Sequence, residues 1–299
     1  MELNIKMPAH RGKAILKVIH LEEVRNVRDI GGVPINSAFA GEDAFARKGI
    51  FTSESVSADE KRLIKHGLFF RGAHLSSISE SDKEILFEQL RVRCVIDVRT
   101  GWERELKPDP VIENVENFHI PFYDKEKVGL EYTKKLPNTI RIGHDFACDQ
   151  LDFYYSLSNE RTVEQMKKCI ETAFKYANAG KSVYFHCTGG KDRAGILAVL
   201  ILEILGASYD EILKDYLFTN VSRDAHIQPT YERFLRLCQG DEERARKITE
   251  SHCANKNNLN SFYKGVKERY GSMESFIENQ LGVSLNVRKT FIENCTEIL

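Results

Sequence analysis

The sequence predicts an α/β fold, a parallel sheet flanked by helices, with a helical extension at the C-terminal end. Three observations carry this. Residues 92–98 are β-branched and almost wholly apolar, which suits a strand buried on both faces. Residues 182–205 read as strand, tight loop and apolar helix in immediate succession. After Ala207 every segment repeats its apolar residues at helical spacing.

The chain has 299 residues, 42% hydrophobic and 29% charged, a globular balance. One domain over 1–299 is the simplest arrangement, with an arm at 1–20 and a helical elaboration at 208–299. Lys plus Arg is 43 and Asp plus Glu is 44, a net charge of -1 that advertises no nucleic-acid surface. The longest apolar run, 194–202, is closed by Glu203 and is about half a membrane span, so no transmembrane segment is expected. The seven cysteines are scattered and never form CxxC, which argues against a disulfide framework and a structural zinc site. No signal peptide is visible in MELNIKMPAH, so the cytoplasm is expected, with export by a route lacking a cleaved signal left open.

The elements follow in order. NVRDIGG at 26–32 reads as a turn, with Asn26 and Asp29 bonding to nearby backbone. Residues 36–70 read as hairpins or loop. Ser79 or Ser81 caps a helix reaching about Leu90, ahead of the strand at 92–98. FHIPF at 118–122 reads as a second strand stopped by Pro121. Residues 124–157 show no clear period and read as a lid, an insertion or a helical region. A helix at 162–177 ends at Gly180, a strand follows at 182–185, and a helix at 194–205 is closed by Gly206. The last helical candidate, 284–298, runs almost to the end.

The chemistry points to the loop between strand and helix. Gly189 and Gly190 let the backbone turn its N–H groups inward as an anion nest, and the following helix adds its positive end. His186 and Thr188 flank Cys187, and Lys191 adds a cation. Arg193, six residues after Cys187, can return over the hollow and grip two phosphate oxygens. A thiol in such surroundings drops from about 8.5 into the range of roughly 3.5–7.5 and becomes a nucleophilic thiolate. His186 either tunes that thiolate or only bonds the loop.

The chain contains its own control. Cys238 also has an arginine, Arg244, six residues later, but no strand precedes it and Asp241, Glu242 and Glu243 would repel phosphate. His252-Cys253 repeats the HC pair with Leu259 at the arginine position. A nucleotide-binding P-loop is excluded because Ile196 stands where that motif needs lysine.

HCTGGKDRAG resembles the HCxxGxxR signature of cysteine-based phosphatases. The wider likeness is to the bacterial and fungal tyrosine-phosphatase family that also acts on phosphoserine, phosphothreonine and phosphoinositides. It extends over NVRDIGG (26–32), FFRGAHL (69–75), IDVRTGWERE (96–105), DYLFTN (215–220) and YGSMESFIENQLG (270–282). The resemblance implies a cysteine-phosphatase fold with a central four-stranded parallel sheet, and phosphorylated proteins or phosphoinositides as substrates. It implies Cys187 as nucleophile, Arg193 as phosphate clamp and Lys191 as the extra loop lysine shared with phosphoinositide 3-phosphatases. Asp192 and Asp124 are the two candidates for the general acid. One departure is Ala194, where the family usually has threonine. Another is the length of 36–70.

Asp192 stands in the loop itself, whereas Asp124 reaches the site only if its strand lies alongside, so Asp192 is preferred. Its competing role is a partner for Lys191 or Arg193. Arg28 and Asp29 either brace the loop or merely close a turn. Asp97, Arg99 and Glu103 lie past a strand's C-terminal end and read as an ion-pair network holding the loop. The expected function is a phosphomonoester hydrolase working through phosphocysteine without metal or organic cofactor, most of all on phosphotyrosine. A non-catalytic phospho-ligand module and a rhodanese-type sulfur transferase are the rivals.

Overall fold

The computed structural model describes residues 17–35, 62–123, 146–222 and 227–299. The central sheet has six strands: β1 (Lys17–Val18), β2 (Arg28–Asp29), β5 (Phe69–Gly72), β8 (Ser182–His186), β6 (Val92–Asp97) and β7 (Glu116–His119), in that spatial order. The four from β5 to β7 run parallel, while β1 and β2 add an antiparallel edge. The expected four-stranded parallel sheet is therefore present, and NVRDIGG contributes a short strand as well as a turn. A smaller sheet joins β3 (Pro34–Ile35), β4 (Arg62–Ile64) and β9 (Thr296–Ile298).

Helices cover both faces. α1 (Glu80–Lys83) is capped by the Ser79 hydroxyl and continues as a π-helical turn, Glu84–Gln89. α2 is Gly101–Leu106, α3 Phe146–Ser156 and α4 Glu160–Asn178. α5 (Arg193–Leu205) is buried along its whole length, which explains why its sequence has no polar stripe. α4 is amphipathic instead and buries Val163, Met166, Ile170 and Phe174 against the sheet. Each such side chain contributes about 1.5–3 kcal/mol by leaving water. α6 (Tyr209–Ser222), α7 (Ile227–Leu237), α8 (Glu242–Ser251) and α9 (Lys256–Tyr270) form the extension with α10 (Met273–Ser275), its π continuation Phe276–Gln280, and α11 (Leu285–Cys295). Among the described residues, no helix is long and apolar enough to cross a membrane.

Two expectations need correction. The strand at FHIPF sits two residues earlier, at Glu116–His119. The Ile120 amide makes the closing bond, to Asp97 O at 2.9 Å, and Pro121 has no N–H to extend the ladder. The extension is not wholly helical either, since α11 stops at Cys295 and Thr296–Ile298 pairs with β4. Most of 36–70 and 124–157 lies outside the described residues, as do Asp124 and most of the 1–20 arm.

The sheet register positions the site. Gly72 pairs with His186, and His186 with Asp97, so three strand ends stand side by side at the C-terminal edge of the parallel sheet. Open α/β sheets place ligands at that edge.

Candidate active site

Cys187 follows directly on β8 and is buried, 2% exposed. The loop around it is tied down through its carbonyls. Asn26 Nδ2 donates to Gly189 O at 3.1 Å, and Arg71 Nη2 to Gly190 O at 2.9 Å and Lys191 O at 3.1 Å. These three bonds fix the loop by its carbonyls and leave its amides out of the tie. Gly190 has φ +68°, and a Cβ there would lie 2.5 Å from the Gly72 carbonyl carbon. Gly189 has no such constraint, so only the second glycine of the pair is demanded.

The tie is anchored in a buried triad. Arg28 Nε lies 2.8 Å from Asp215 Oδ1, and Arg71 Nη1 2.5 Å from Asp215 Oδ2. Arg28 also donates to Asn26 Oδ1 at 2.7 Å and Thr219 Oγ1 at 3.1 Å. Burial works to raise the Asp215 carboxyl, but the two guanidiniums outweigh it and hold the group below the usual range. Arg28 itself is lowered to about 10 by burial and by the charge of Arg71. Of the two readings of the NVRDIGG pair, Arg28 braces the loop. Asp29 closes its own turn by accepting from Gly31 N at 2.8 Å, and it also accepts from the distant Gly67 N at 2.9 Å.

Arg193 is gripped from the other side. Its Nη1 and Nη2 donate to Glu103 Oε2 and Oε1 at 2.6 and 2.8 Å. Glu103 stands in the first turn of α2, where Thr100 caps the helix in a reciprocal capping box. Thr188 also donates to Glu103. Burial would raise the Glu103 carboxyl, yet the Arg193 bond and charge with the Thr188 and Thr100 contacts bring it to about 2. The Tyr123 ring lies 5.4 Å from the Arg193 guanidinium and screens that flank. The carboxylate thus holds the guanidinium plane in place before any ligand arrives. Replacing Glu103 with glutamine is expected to leave Arg193 present but loosely aimed, and to cut kcat/KM for an aryl phosphate roughly 10²-fold. Steady-state rates for the variant check this, and an unchanged value would show that Arg193 needs no such partner.

Beneath the loop, Arg99 bonds both Asp97 and Asp109, at 2.8 and 2.7 Å. His186 lies with Nε2 3.1 Å from Asp109 Oδ2 and Nδ1 3.2 Å from Cys187 O. Asp97, Asp109 and His186 present three ligand-type atoms within 4.8 Å of one another. Arg99 already supplies the positive charge there, so the cluster works as an ion-pair floor for β6 and β8 rather than as a metal cradle.

The remaining loop residues are Lys191 and Asp192. Lys191 Nζ lies 3.4 Å from Asp192 Oδ1 and donates to Ser251 O at 3.3 Å, which links the loop to the end of α8. Asp192 also accepts from the Tyr154 hydroxyl at 2.5 Å. Burial pushes the Asp192 carboxyl up, but Lys191, the Tyr154 bond and Arg193 prevail and hold it below the ordinary range. The competing loop behaves as expected: Cys238 sits between α7 and α8, and burial raises its thiol.

Arg71, Asp215 and Tyr154 were not singled out by the residue pattern. The first two lie in the FFRG and DYLFTN segments, whose signal was their likeness to a family rather than any local chemistry. Tyr154 belongs to the Phe153-Tyr154-Tyr155 run, which reads as core rather than lid and carries no chemical assignment, and Tyr154 is indeed buried in the core.

Residues 19–297 match the family model described as the tyrosine phosphatase family. The chain belongs to that family. It is 30% identical to a tyrosine-protein phosphatase of Nostoc commune over 148 residues, 50% of this chain and 47% of the relative. It is 26% identical to the triple specificity protein phosphatase PtpB of Mycobacterium tuberculosis over 183 residues, 55% of this chain and 65% of the relative. The matched regions thus span 47–65% of the length of these two phosphatases.

Proposed function

We propose that this member of the tyrosine phosphatase family hydrolyses phosphomonoesters through phosphocysteine on Cys187. Phosphotyrosine is the first substrate class, with phosphoserine, phosphothreonine and phosphoinositides behind it. The observation that supports the reading best is the Glu103–Arg193 fork set beside a buried cysteine in a carbonyl-tied loop. That combination receives a phosphate dianion and aligns a sulfur behind phosphorus. Thr188, Gly189 and Gly190 provide the backbone cradle, while Lys191 sits at its rim and His186 at its base. The match over 19–297 supports a single domain. The cysteines described at 94, 169, 187, 238, 253 and 295 are free, which suits a reducing cytoplasm.

In the first step the sulfur attacks phosphorus, the S–P bond forms and the ester P–O bond breaks. The leaving oxygen takes a proton, for which Asp124 is the proposed donor. In the second step water attacks phosphorus, the P–S bond breaks and the sulfur leaves as thiolate. Asp192, already ionised, takes the proton of that water. The sequence favoured Asp192 as the acid, and its lowered carboxyl supports giving it this second role instead. Release of inorganic phosphate from p-nitrophenyl phosphate and from a phosphotyrosine peptide, with a phosphorylated Cys187 peptide trapped by acid quench, tests the reading. Failure to turn over either substrate overturns it.

Ala194, buried at the start of α5, offers no hydroxyl to the departing sulfur. A burst of p-nitrophenol followed by a slower steady rate is therefore expected, and Ala194→Thr should raise the steady rate. Rapid-quench kinetics check this, and a linear time course unchanged in Ala194→Thr would locate sulfur release elsewhere.

A further inference from the structure

Tyr154 and Tyr216 are two fully buried tyrosines whose hydroxyls meet inside the protein. The Tyr216 hydroxyl donates to the Tyr154 hydroxyl at 2.7 Å, and Tyr154 donates to Asp192 Oδ1 at 2.5 Å. The rings pack edge to face, 6.2 Å between centroids, so neither hydroxyl can swing away without opening the core. The backbone amide of Asn255, the residue capping α9, hydrogen-bonds the Tyr216 hydroxyl from behind. The ionised Asp192 carboxylate can only accept, so Tyr154 must donate to it, and with that one proton used the bond between the two hydroxyls takes its proton from Tyr216. The cascade has one direction.

Its end point is asymmetric. Tyr154 and Lys191 both address Oδ1 of Asp192. Oδ2 has no partner among the described residues, and the side chain remains 32% exposed. Asp192 stands in the same loop as Cys187, directly before Arg193, whose guanidinium lies 5.4 Å from the Tyr123 ring.

We propose that Tyr154 is a positioning residue, with Tyr216 its support, which fixes Asp192 through Oδ1 and leaves Oδ2 to receive the proton of the water that attacks phosphocysteine. The proposal rests on the phosphatase reading above. Tyr154 touches neither phosphate nor sulfur. It acts by setting the orientation and the basicity of one carboxylate. Burial and Asp192 raise the Tyr154 phenol well above its ordinary value, so it stays a neutral donor over the working pH range.

The test is the pH dependence of the steady-state rate on p-nitrophenyl phosphate, measured on the full chain. A hydrogen bond to an ionised acceptor is among the stronger ones, and its loss in Tyr154→Phe is expected to move the acid limb upward by about one pH unit. The burst amplitude should persist, because the first step does not use Asp192. Tyr216→Phe should move the limb in the same direction by less, and it keeps the test alive if Tyr154→Phe does not fold. A rate lowered equally at every pH, with the limb in place and a lower unfolding midpoint, would make both tyrosines mere packing and overturn the proposal. The wild type separates the two ideas. If it shows no burst and no turnover, the phosphatase reading fails, whereas normal wild-type turnover with unshifted variants defeats only the role of the tyrosines.

Discussion

Replacing Cys187 with serine is expected to abolish turnover of p-nitrophenyl phosphate while leaving inorganic phosphate able to bind. The two halves have separate physical origins. Turnover needs a nucleophile that is anionic near neutral pH, and a serine hydroxyl, far less acidic than a thiol, stays protonated in the same hollow. The loss should be on the order of 10⁴-fold or more, the scale on which a removed nucleophile is felt. Binding needs the loop amides and the Arg193 fork, and those are held by Glu103, Asn26 and Arg71 rather than by the sulfur. Stopped-time phosphate release measures the first half, and phosphate binding by calorimetry the second. Cys238→Ser is the control and should change neither. Substantial hydrolysis by Cys187→Ser would remove the covalent mechanism altogether.

The largest effect on stability is expected from Asp215→Ala. That carboxylate is the counter-charge for two buried guanidiniums, at 2.8 and 2.5 Å. Removing it leaves two cations facing each other without solvent, and breaking a buried pair in this way costs about 3–5 kcal/mol. Urea unfolding of the wild type and the variant gives the number. Asp215→Asn should cost less, because the amide oxygen still accepts one bond. The pH dependence has a definite sign. The Asp215 carboxyl is depressed in the folded protein, so its contribution is present above the ordinary carboxylate range of about 4. It fades only as the pH falls through the lower, folded value. A variant as stable as the wild type would mean that water or another group satisfies Arg28 and Arg71.

How far the sequence reached depended on the distance between cause and effect. β6, β8, α4 and α5 were legible because period, β-branching and glycine stops are local signals. Cys187 to Arg193 was legible for the same reason, since the nucleophile, the nest and the clamp occupy seven consecutive residues. β7 was misplaced by two residues because its aromatic and apolar run marks the burial of Ile120 and Phe122 rather than the ladder. β9 was missed because three residues at the end of an apolar helical pattern carry no period of their own. The partners of the loop were the least visible. Arg28 and Asp215 are 187 residues apart, and Tyr154 and Asp192 are 38 apart, with nothing in either segment that names the other. Glu103 was readable as part of a network, but its direct hold on Arg193 needed three dimensions.

The separation of Arg28 from Asp215 also sets a timetable. A ribosome emits β2 first and α6 much later, and loop closure over such a span is slow to be rewarded. Late in that interval Cys187 is made while Arg28 and Arg71 still lack the carboxylate that unites them. Until α6 docks, the two guanidiniums therefore lack their common carboxylate, and the loop carbonyls that Arg71 ties are not yet anchored.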